Sequence, residues 1–203
     1  MTNLLSPPEQ VSSRVMSLEA FLDYDDGTET LYELENGKLR PMPSESDTNQ
    51  RIAIYLLVFF SQLGIPFYRL RVGMELAVSG ARSTVRVPDF AIFTEELAQA
   101  MKGKKRSIAM PEMPPPQLVV EVVSPGKDNE KRDYRYKRSQ YQAREIAEYW
   151  IVDPVQEKVT VLRLLDGLYE EETFTGERAI VSSLLPPDSS LSAAQILQAG
   201  VED

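Results

Sequence analysis

The sequence contains no cysteine and no histidine among its 203 residues. Without cysteine the chain has no disulfide, no thiolate nucleophile and no iron–sulfur cluster, and without both residue types it has no Cys/His zinc site. The missing histidine also excludes a Ser-His-Asp triad and any imidazole base. What remains is chemistry by carboxylates, lysine, tyrosine and hydroxyl groups, with metals that prefer oxygen ligands.

Long hydrophobic runs are also absent. The longest, Ile52 to Phe60, is about half of the roughly 20 residues that a membrane span needs. The N-terminal segment, Met1 to Ser17, lacks a basic start followed by an apolar stretch, so no signal peptide is predicted. We therefore expect no membrane association and a cytoplasmic location.

Basic residues are scarce and unevenly placed. The chain has 22 Lys and Arg against 31 Asp and Glu, a net charge of −9, yet Lys102 to Arg144 holds eleven basic and five acidic residues. Such a segment can attract a polyanion locally, because charges act over about 8 Å at physiological salt, or it can be an ordinary solvated face. The predicted nucleic-acid contacts in it are Lys104, Lys105, Arg106, Lys131, Arg135 and Arg138. The overall negative charge argues against tight non-specific binding to nucleic acid.

The pattern of turns and apolar residues predicts one α/β domain. Residues 1–16 indicate a flexible tail and residues 17–203 the domain, a central mixed sheet flanked by helices. Hairpins are predicted at Asn36-Gly37 and Asp166-Gly167. Helices are predicted after Ser17, over 47–63, from Thr94 to about 101, over 128–144 and over 190–198; further strands are predicted over 66–72, 74–78, 85–87, 89–93, 118–123 and 148–152.

Two carboxylates stand in strands whose other positions are apolar. Glu121 lies in Leu-Val-Val-Glu-Val-Val, and Asp89 follows Pro88 at the start of another strand. A buried, unpaired carboxylate costs several kcal/mol, so each needs a basic partner, a raised pKa or a metal. Neighbouring carboxylates repel each other unless a cation lies between them, which favours Mg²⁺ or Mn²⁺. Pairing with arginine or lysine is the alternative.

The helix after Glu121 carries two stripes. Asp133, Lys137 and Tyr141 are spaced four residues apart and share one face. Lys131, Arg135 and Arg138 form a second, basic stripe. The first stripe is placed to cover the acidic strands and the second to meet solvent or phosphate. The alternatives are an ordinary helix ion pair and a solvated face.

Taken in order, these motifs resemble the PD-(D/E)xK nuclease superfamily, and within it a large bacterial family labelled putative restriction endonucleases. The likeness covers residues 17 to 198. It is carried by Tyr32-Glu33-Leu34, Asn36-Gly37, Pro88-Asp89, Leu118 to Pro125, Asp133, Lys137, Tyr141 and Glu148 to Pro154. The resemblance implies a restriction endonuclease-like fold.

The resemblance also implies roles for individual residues. Asp89, Glu121 and the Val122 carbonyl would hold the metal, while Lys137 would orient or help activate a water. Glu33 would be a further ligand or orienter, and Tyr141 would steady Lys137 or contact a phosphate.

Two departures from the family pattern follow. The superfamily's lysine, two residues after the glutamate, is Val123 here, so the lysine would come from the helix as Lys137. A histidine that the family often has near residues 47–49 is missing.

Three functional hypotheses result. The first is a metal-dependent endonuclease that hydrolyses phosphodiester bonds in DNA with Mg²⁺ or Mn²⁺ and needs no small-molecule cofactor. The second, motivated by Val123, the missing histidine and the net charge, is an inactive nuclease fold that serves as a nucleic-acid or protein interaction module. The third is a structural homodimer built through hairpins such as that at Asp166-Gly167. A homodimer also suits a nuclease that cuts both strands.

Overall fold

The structure is a computed structural model that describes residues 15–201. The predicted tail therefore lies outside the described residues except for Val15 and Met16. The Met16 N–H donates to the Gly37 carbonyl at 2.7 Å, so this end of the described chain is held against the first hairpin.

Short helices and two mixed sheets make up the described chain. The helices are α1 (Leu18–Leu22), α2 (Asp47–Gln62), α3 (Glu95–Met101), α4 (Lys127–Lys131), α5 (Arg138–Ala143) and α6 (Ala193–Gln198), with a 3₁₀ turn at Phe67–Arg69 and a π-helical segment at Arg132–Lys137. The strands are β1 (Tyr32–Glu35), β2 (Lys38–Pro41), β3 (Leu70–Arg71), β4 (Glu75–Val78), β5 (Thr84–Arg86), β6 (Phe90–Phe93), β7 (Ile108–Ala109), β8 (Pro116–Val122), β9 (Glu148–Asp153), β10 (Lys158–Leu165) and β11 (Leu168–Thr175).

The α/β class is confirmed, and the strands divide between two sheets. One has the order β2-β1-β5-β4-β7 and the other β11-β10-β9-β8-β6-β3. Each contains a single parallel pair, β4 with β7 and β8 with β9. The parallel β8–β9 pair needs a crossover, which α4, the π segment and α5 supply. This crossover carries the stripe of Asp133, Lys137 and Tyr141.

Turns and helix caps follow the sequence signals. Both predicted hairpins form, and their central residues have the positive φ angles of a type I′ turn: 50° and 77° at Asn36-Gly37, 49° and 81° at Asp166-Gly167. The Ser17 and Thr94 side chains accept hydrogen bonds from backbone N–H groups in the first turns of α1 and α3.

Two predicted elements differ from the structure. The strand predicted over 66–72 is a 3₁₀ turn followed by the two-residue β3. Pro66 opens the turn by accepting the Arg69 N–H at 2.9 Å, and the Arg69 guanidinium then bonds to the Phe93 carbonyl at 2.7 Å. The helix predicted over 128–144 is present but contains the π-helical segment.

Strand β8 separates two hydrophobic clusters. Leu118, Val120 and Val122 pack in the cluster that includes α2 and α6. Val119 and Val123 pack in the cluster that includes α3 and Tyr141 of α5. Since side chains alternate along a strand, Glu121 faces the second cluster and the crossover helices. In the described part of the chain no helix is long and apolar enough to cross a membrane.

Candidate active site

The two acids singled out in the sequence lie at one point of the larger sheet. Strands β6 and β8 are antiparallel neighbours with Phe90 opposite Val120, so Asp89, one residue earlier, lies beside Glu121. The Asp89 carboxylate accepts the Val122 N–H at 2.5 Å. This hydrogen bond fixes Asp89 at the end of the strand that carries Glu121.

Glu121 is buried, and both of its oxygens have partners from the crossover. Tyr141 donates its O–H to Oε1 at 2.5 Å, and Lys137 Nζ lies 2.7 Å from Oε2. Lys137 also lies 3.1 Å from Asp133 Oδ1. The structure thus brings Asp89, Glu121, Lys137 and Tyr141 together.

The π-helical segment explains how one face of the crossover can bury so many polar groups. A π turn holds one residue more than an α turn, which shifts the faces that follow it. Asp133 and Lys137 are buried within the segment, and Gln140 and Tyr141 are buried in α5 directly after it. Such bulges are frequent at functional sites. Here Lys137 and Tyr141 contact Glu121, and Gln140 accepts a hydrogen bond from Arg86.

Burial and mutual repulsion set the protonation of the two acids. Burial, the Glu121 charge and a hydrogen bond to Glu45 raise the pKa of Asp89 well above its usual value. Burial also raises the pKa of Glu121, against the opposing effect of the Lys137 charge. Burial alone would lower the pKa of Lys137, but Glu121 and Asp133 raise it above its usual value, so the amine stays protonated. In the absence of a bound cation, the protein environment thus favours the neutral, protonated forms of Asp89 and Glu121 over their charged forms.

Glu33 belongs to a second buried ion-pair cluster, separate from the one formed by Glu121, Lys137 and Asp133. Its Oε2 bonds to Arg86 at 2.9 Å, and its Oε1 accepts the Val87 N–H at 3.2 Å. Arg86 is fully buried and also donates to Glu35 and Gln140, each at 2.9 Å. Burial raises the pKa of Glu33, but the charges of Lys137 and Arg86 lower it below its usual value on balance. This geometry favours an orienting role for Glu33.

Arg86 is absent from the site residues predicted from the sequence, although the same pattern that identified Asp89 and Glu121, a charged residue in an apolar strand, applies to it. It stands among apolar neighbours, between Val85 and Val87. A charged residue inside an apolar strand indicates a buried partner, whatever its sign. The same reasoning that selected Glu121 would have selected Arg86.

A cleft of about 320 Å³ opens over these groups. Its charged lining consists of the acids Glu33, Glu45, Asp89, Glu121 and Asp133 and the cations Arg40, Arg132 and Lys137. Acids therefore outnumber cations in the lining by five to three. Three of these charged lining residues are absent from the site residues predicted from the sequence: Arg40, Glu45 and Arg132.

Asn49 occupies the corner where the family's histidine was expected. Its buried side chain donates to the Val122 carbonyl and to Ser124 Oγ, both at 3.3 Å. The carbonyl predicted to bind metal is thus already held by an amide hydrogen bond from α2. A carbonyl oxygen has two lone pairs, so one acceptor position is left.

The six predicted nucleic-acid contacts are not in the cleft: none of them is among the described residues that line it. Arg106 forms a two-point ion pair with Glu75, at 2.6 Å for each nitrogen, and Arg138 pairs with Glu171. Lys131 lies over the Tyr136 ring. The remaining three are exposed: Lys104, Lys105 and Arg135.

Comparison with solved structures places the fold in a class. The chain is similar to a crystal structure from Anabaena variabilis ATCC 29413 described as a putative nuclease belonging to DUF820. The TM-score is 0.66 at 17% identity, over 92% of this chain and 99% of that one. The likeness is one of fold.

A family model described as "Uma2: Putative restriction endonuclease" matches residues 18–194. The chain therefore belongs to the Uma2 family, as the resemblance found in the sequence predicted. Among curated proteins no match was found.

Proposed function

We propose that the chain is a metal-dependent endonuclease that hydrolyses phosphodiester bonds in DNA. The observation that carries the proposal is the convergence of Asp89, Glu121 and Lys137 in one cleft, with Lys137 2.7 Å from Glu121. Membership of the Uma2 family supports nucleic acid as the substrate class.

The donor set fits a hard divalent cation. Within residues 15–201 no group of three or more acidic side chains is arranged to bind an ion unaided. Mg²⁺ needs fewer, because it usually binds one or two carboxylates and keeps several waters. Repulsion from Glu121 helps to raise the pKa of Asp89, and a cation between the two would relieve it. We assign Asp89, Glu121 and the Val122 carbonyl as the residues that would hold Mg²⁺ or Mn²⁺.

The bound metal would polarise the phosphate and lower the pKa of an attacking water. Around it, each side chain has a distinct task. Lys137 stays protonated, so its ammonium donates hydrogen bonds to a water or a phosphate oxygen rather than accepting a proton. Tyr141 and Asp133 hold Glu121 and Lys137 in place from the crossover helix. The Glu33–Arg86 pair fixes the hairpin wall of the cleft.

The lysine geometry also bears on the departure at Val123. In the superfamily pattern the lysine follows the glutamate on the same strand, whereas here Val123 packs in the apolar cluster. Lys137 approaches the same glutamate from the neighbouring helix. A lysine ammonium 2.7 Å from Glu121 supports an active site over a decayed one.

Cleavage of supercoiled plasmid in Mn²⁺ or Mg²⁺ tests the proposal. We expect nicked or linear product from the wild type, none in EDTA, and none from Asp89→Asn or Glu121→Gln. Glu75→Gln is the matched control, because Glu75 pairs with Arg106 outside the cleft. The proposal is wrong if the wild type leaves DNA intact, or if both site variants cut as fast as the control.

An inactive interaction module is the second candidate. The observation favouring it is that both Glu121 oxygens are already hydrogen-bonded within the protein. It predicts DNA or protein binding without metal-dependent cleavage. A homodimer is compatible with either function and remains a prediction; Leu165 and Leu168, 50% and 65% exposed at the last hairpin, are the contact residues we would test.

A further inference from the structure

Arg132 is the cleft cation whose hydrogen-bonding groups are unused. Lys137 is held by Glu121 and Asp133, and Arg40 by Glu35 at 3.1 Å. Arg132, by contrast, forms no hydrogen bond within residues 15–201. Its ion-pair contact there is Asp133 Oδ1, which lies 3.6 Å from Nε, beyond hydrogen-bond range.

The position of Arg132 suits a side chain that binds a ligand in the cleft. Its Nε is buried and has no hydrogen-bond partner among the described residues, 15–201. Its side chain is 35% exposed, and the residue lines the same cleft as Asp89 and Glu121. A buried donor without a partner is costly and calls for an explanation in a ligand or a function.

Charge explains which ligand would satisfy it. Five acids against three cations line the cleft, so a phosphodiester that enters it meets repulsion, which a cation beside its path offsets. A guanidinium presents paired N–H groups that match two phosphate oxygens, which ammonium does not. Arg132 sits one residue before Asp133, so the helix that positions Lys137 also positions it.

We propose that Arg132 binds a phosphate of the nucleic-acid substrate beside the metal site. This inference rests on the proposed function, because it takes a phosphodiester to be the substrate. It differs from the sequence-based expectation, which placed phosphate contacts on the exposed stripe of Lys131, Arg135 and Arg138. The contact group therefore moves from the outer face of the helix to its cleft side.

Binding of a fluorescein-labelled 20-base-pair duplex in Ca²⁺, followed by anisotropy at several salt concentrations, tests the assignment. Arg132→Gln should weaken binding about tenfold and reduce the slope of log K against log salt by about 0.9, the value for one phosphate contact. Arg132→Lys keeps the charge and should recover only part of the affinity. Arg163→Gln is the control, because the Arg163 side chain is similarly exposed, at 32%, but lies outside the cleft; affinity should change less than threefold.

The outcomes separate the two claims. If the wild type binds and cuts DNA but Arg132→Gln binds as tightly as Arg163→Gln, the assignment of Arg132 is wrong and the proposed function stands. If the wild type neither binds the duplex nor cuts plasmid in Mn²⁺, the proposed function fails and this inference fails with it. Melting temperatures of the variants, expected within a few degrees of the wild type, show that each is folded.

Discussion

Replacement of Arg86 by methionine should destabilise the protein far more than replacement of a similar but more exposed arginine. Arg86→Met removes three hydrogen bonds of 2.9 Å and leaves Glu33, whose side chain is 8% exposed, without its ion-pair partner. Breaking a buried pair in this way costs about 3–5 kcal/mol. Arg106→Met breaks the ion pair between Arg106, whose side chain is 37% exposed, and Glu75, whose side chain is 19% exposed. This loss should lower the free energy of unfolding by about 1 kcal/mol.

Urea unfolding followed by the fluorescence of Trp150, the single and fully buried tryptophan, gives both values. With a slope of about 2.5 kcal/mol per molar urea, a loss of about 4 kcal/mol lowers the midpoint by about 1.6 M, against about 0.4 M for the Arg106 variant. The double variant Glu33→Gln/Arg86→Met removes the stranded charge, so its cost should be smaller than the sum of the single costs.

Two results would refute this reasoning. If Arg86→Met and Arg106→Met shift the midpoint equally, burial of the Glu33–Arg86 pair has no energetic weight. If the two changes at Glu33 and Arg86 are additive, the residues act independently and the hairpin wall of the cleft is not held by their contact.

Three further predictions concern the site and the first hairpin. In EDTA, the pKa of Asp89 lies above its unfolded value of about 3.9, so the folded state binds the proton more tightly than the unfolded state does. The melting temperature should therefore fall as the pH rises from about 4 through the raised pKa. Asp89→Asn should remove that fall, and an unchanged dependence of melting temperature on pH in this variant would contradict the prediction. Tyr141→Phe should slow cleavage about tenfold by removing a hydrogen bond to the buried glutamate. Tyr169→Phe, which removes a hydrogen bond to the Ile146 carbonyl away from the cleft, should cut at the wild-type rate, and equal rates in the two variants would count against the positioning role. In urea unfolding, Gly37→Ala should destabilise the protein by about 1 kcal/mol more than Gly167→Ala. Both positions have positive φ, but of the two only Gly37 has another side chain close enough to meet an added Cβ, at 2.5 Å. Equal costs would mean that this contact relaxes freely.

Local chemistry made much of the fold predictable. The Asn36-Gly37 and Asp166-Gly167 turns require positive φ, and few other dipeptides supply it. The apolar run at 118–123 predicted a strand buried on both faces, and it proved to be central in the larger sheet. What could not be predicted is which strands pair, because pairing depends on contacts between distant residues. For this reason the sequence did not predict that the strands divide into two sheets. It also did not predict that residues 66–72 form a 3₁₀ turn and a two-residue strand in place of one long strand.

The candidate site divides in the same way. Asp89 and Glu121 could be found because a charge in an apolar strand is a local anomaly, and Lys137 because the family resemblance supplied it. Arg132 could not, since which residues of the crossover line the cleft depends on how its helical segments pack against the sheet, and no residue pattern in the sequence announces the π-helical segment among them. Lys131, Arg135 and Arg138 do not line the cleft, because their stripe lies on a different face of the crossover from that of Asp133 and Lys137.

The claim that Asp89 and Glu121 form a metal site is tested most directly by Mn²⁺ binding, measured by electron paramagnetic resonance on the metal-free protein. We predict one Mn²⁺ per chain in the wild type, displaced by Mg²⁺, and loss of that site in Asp89→Asn while Glu75→Gln retains it. Equal Mn²⁺ binding by the wild type and Asp89→Asn, or none by either, would contradict the account and leave these acids as members of a purely structural charge network.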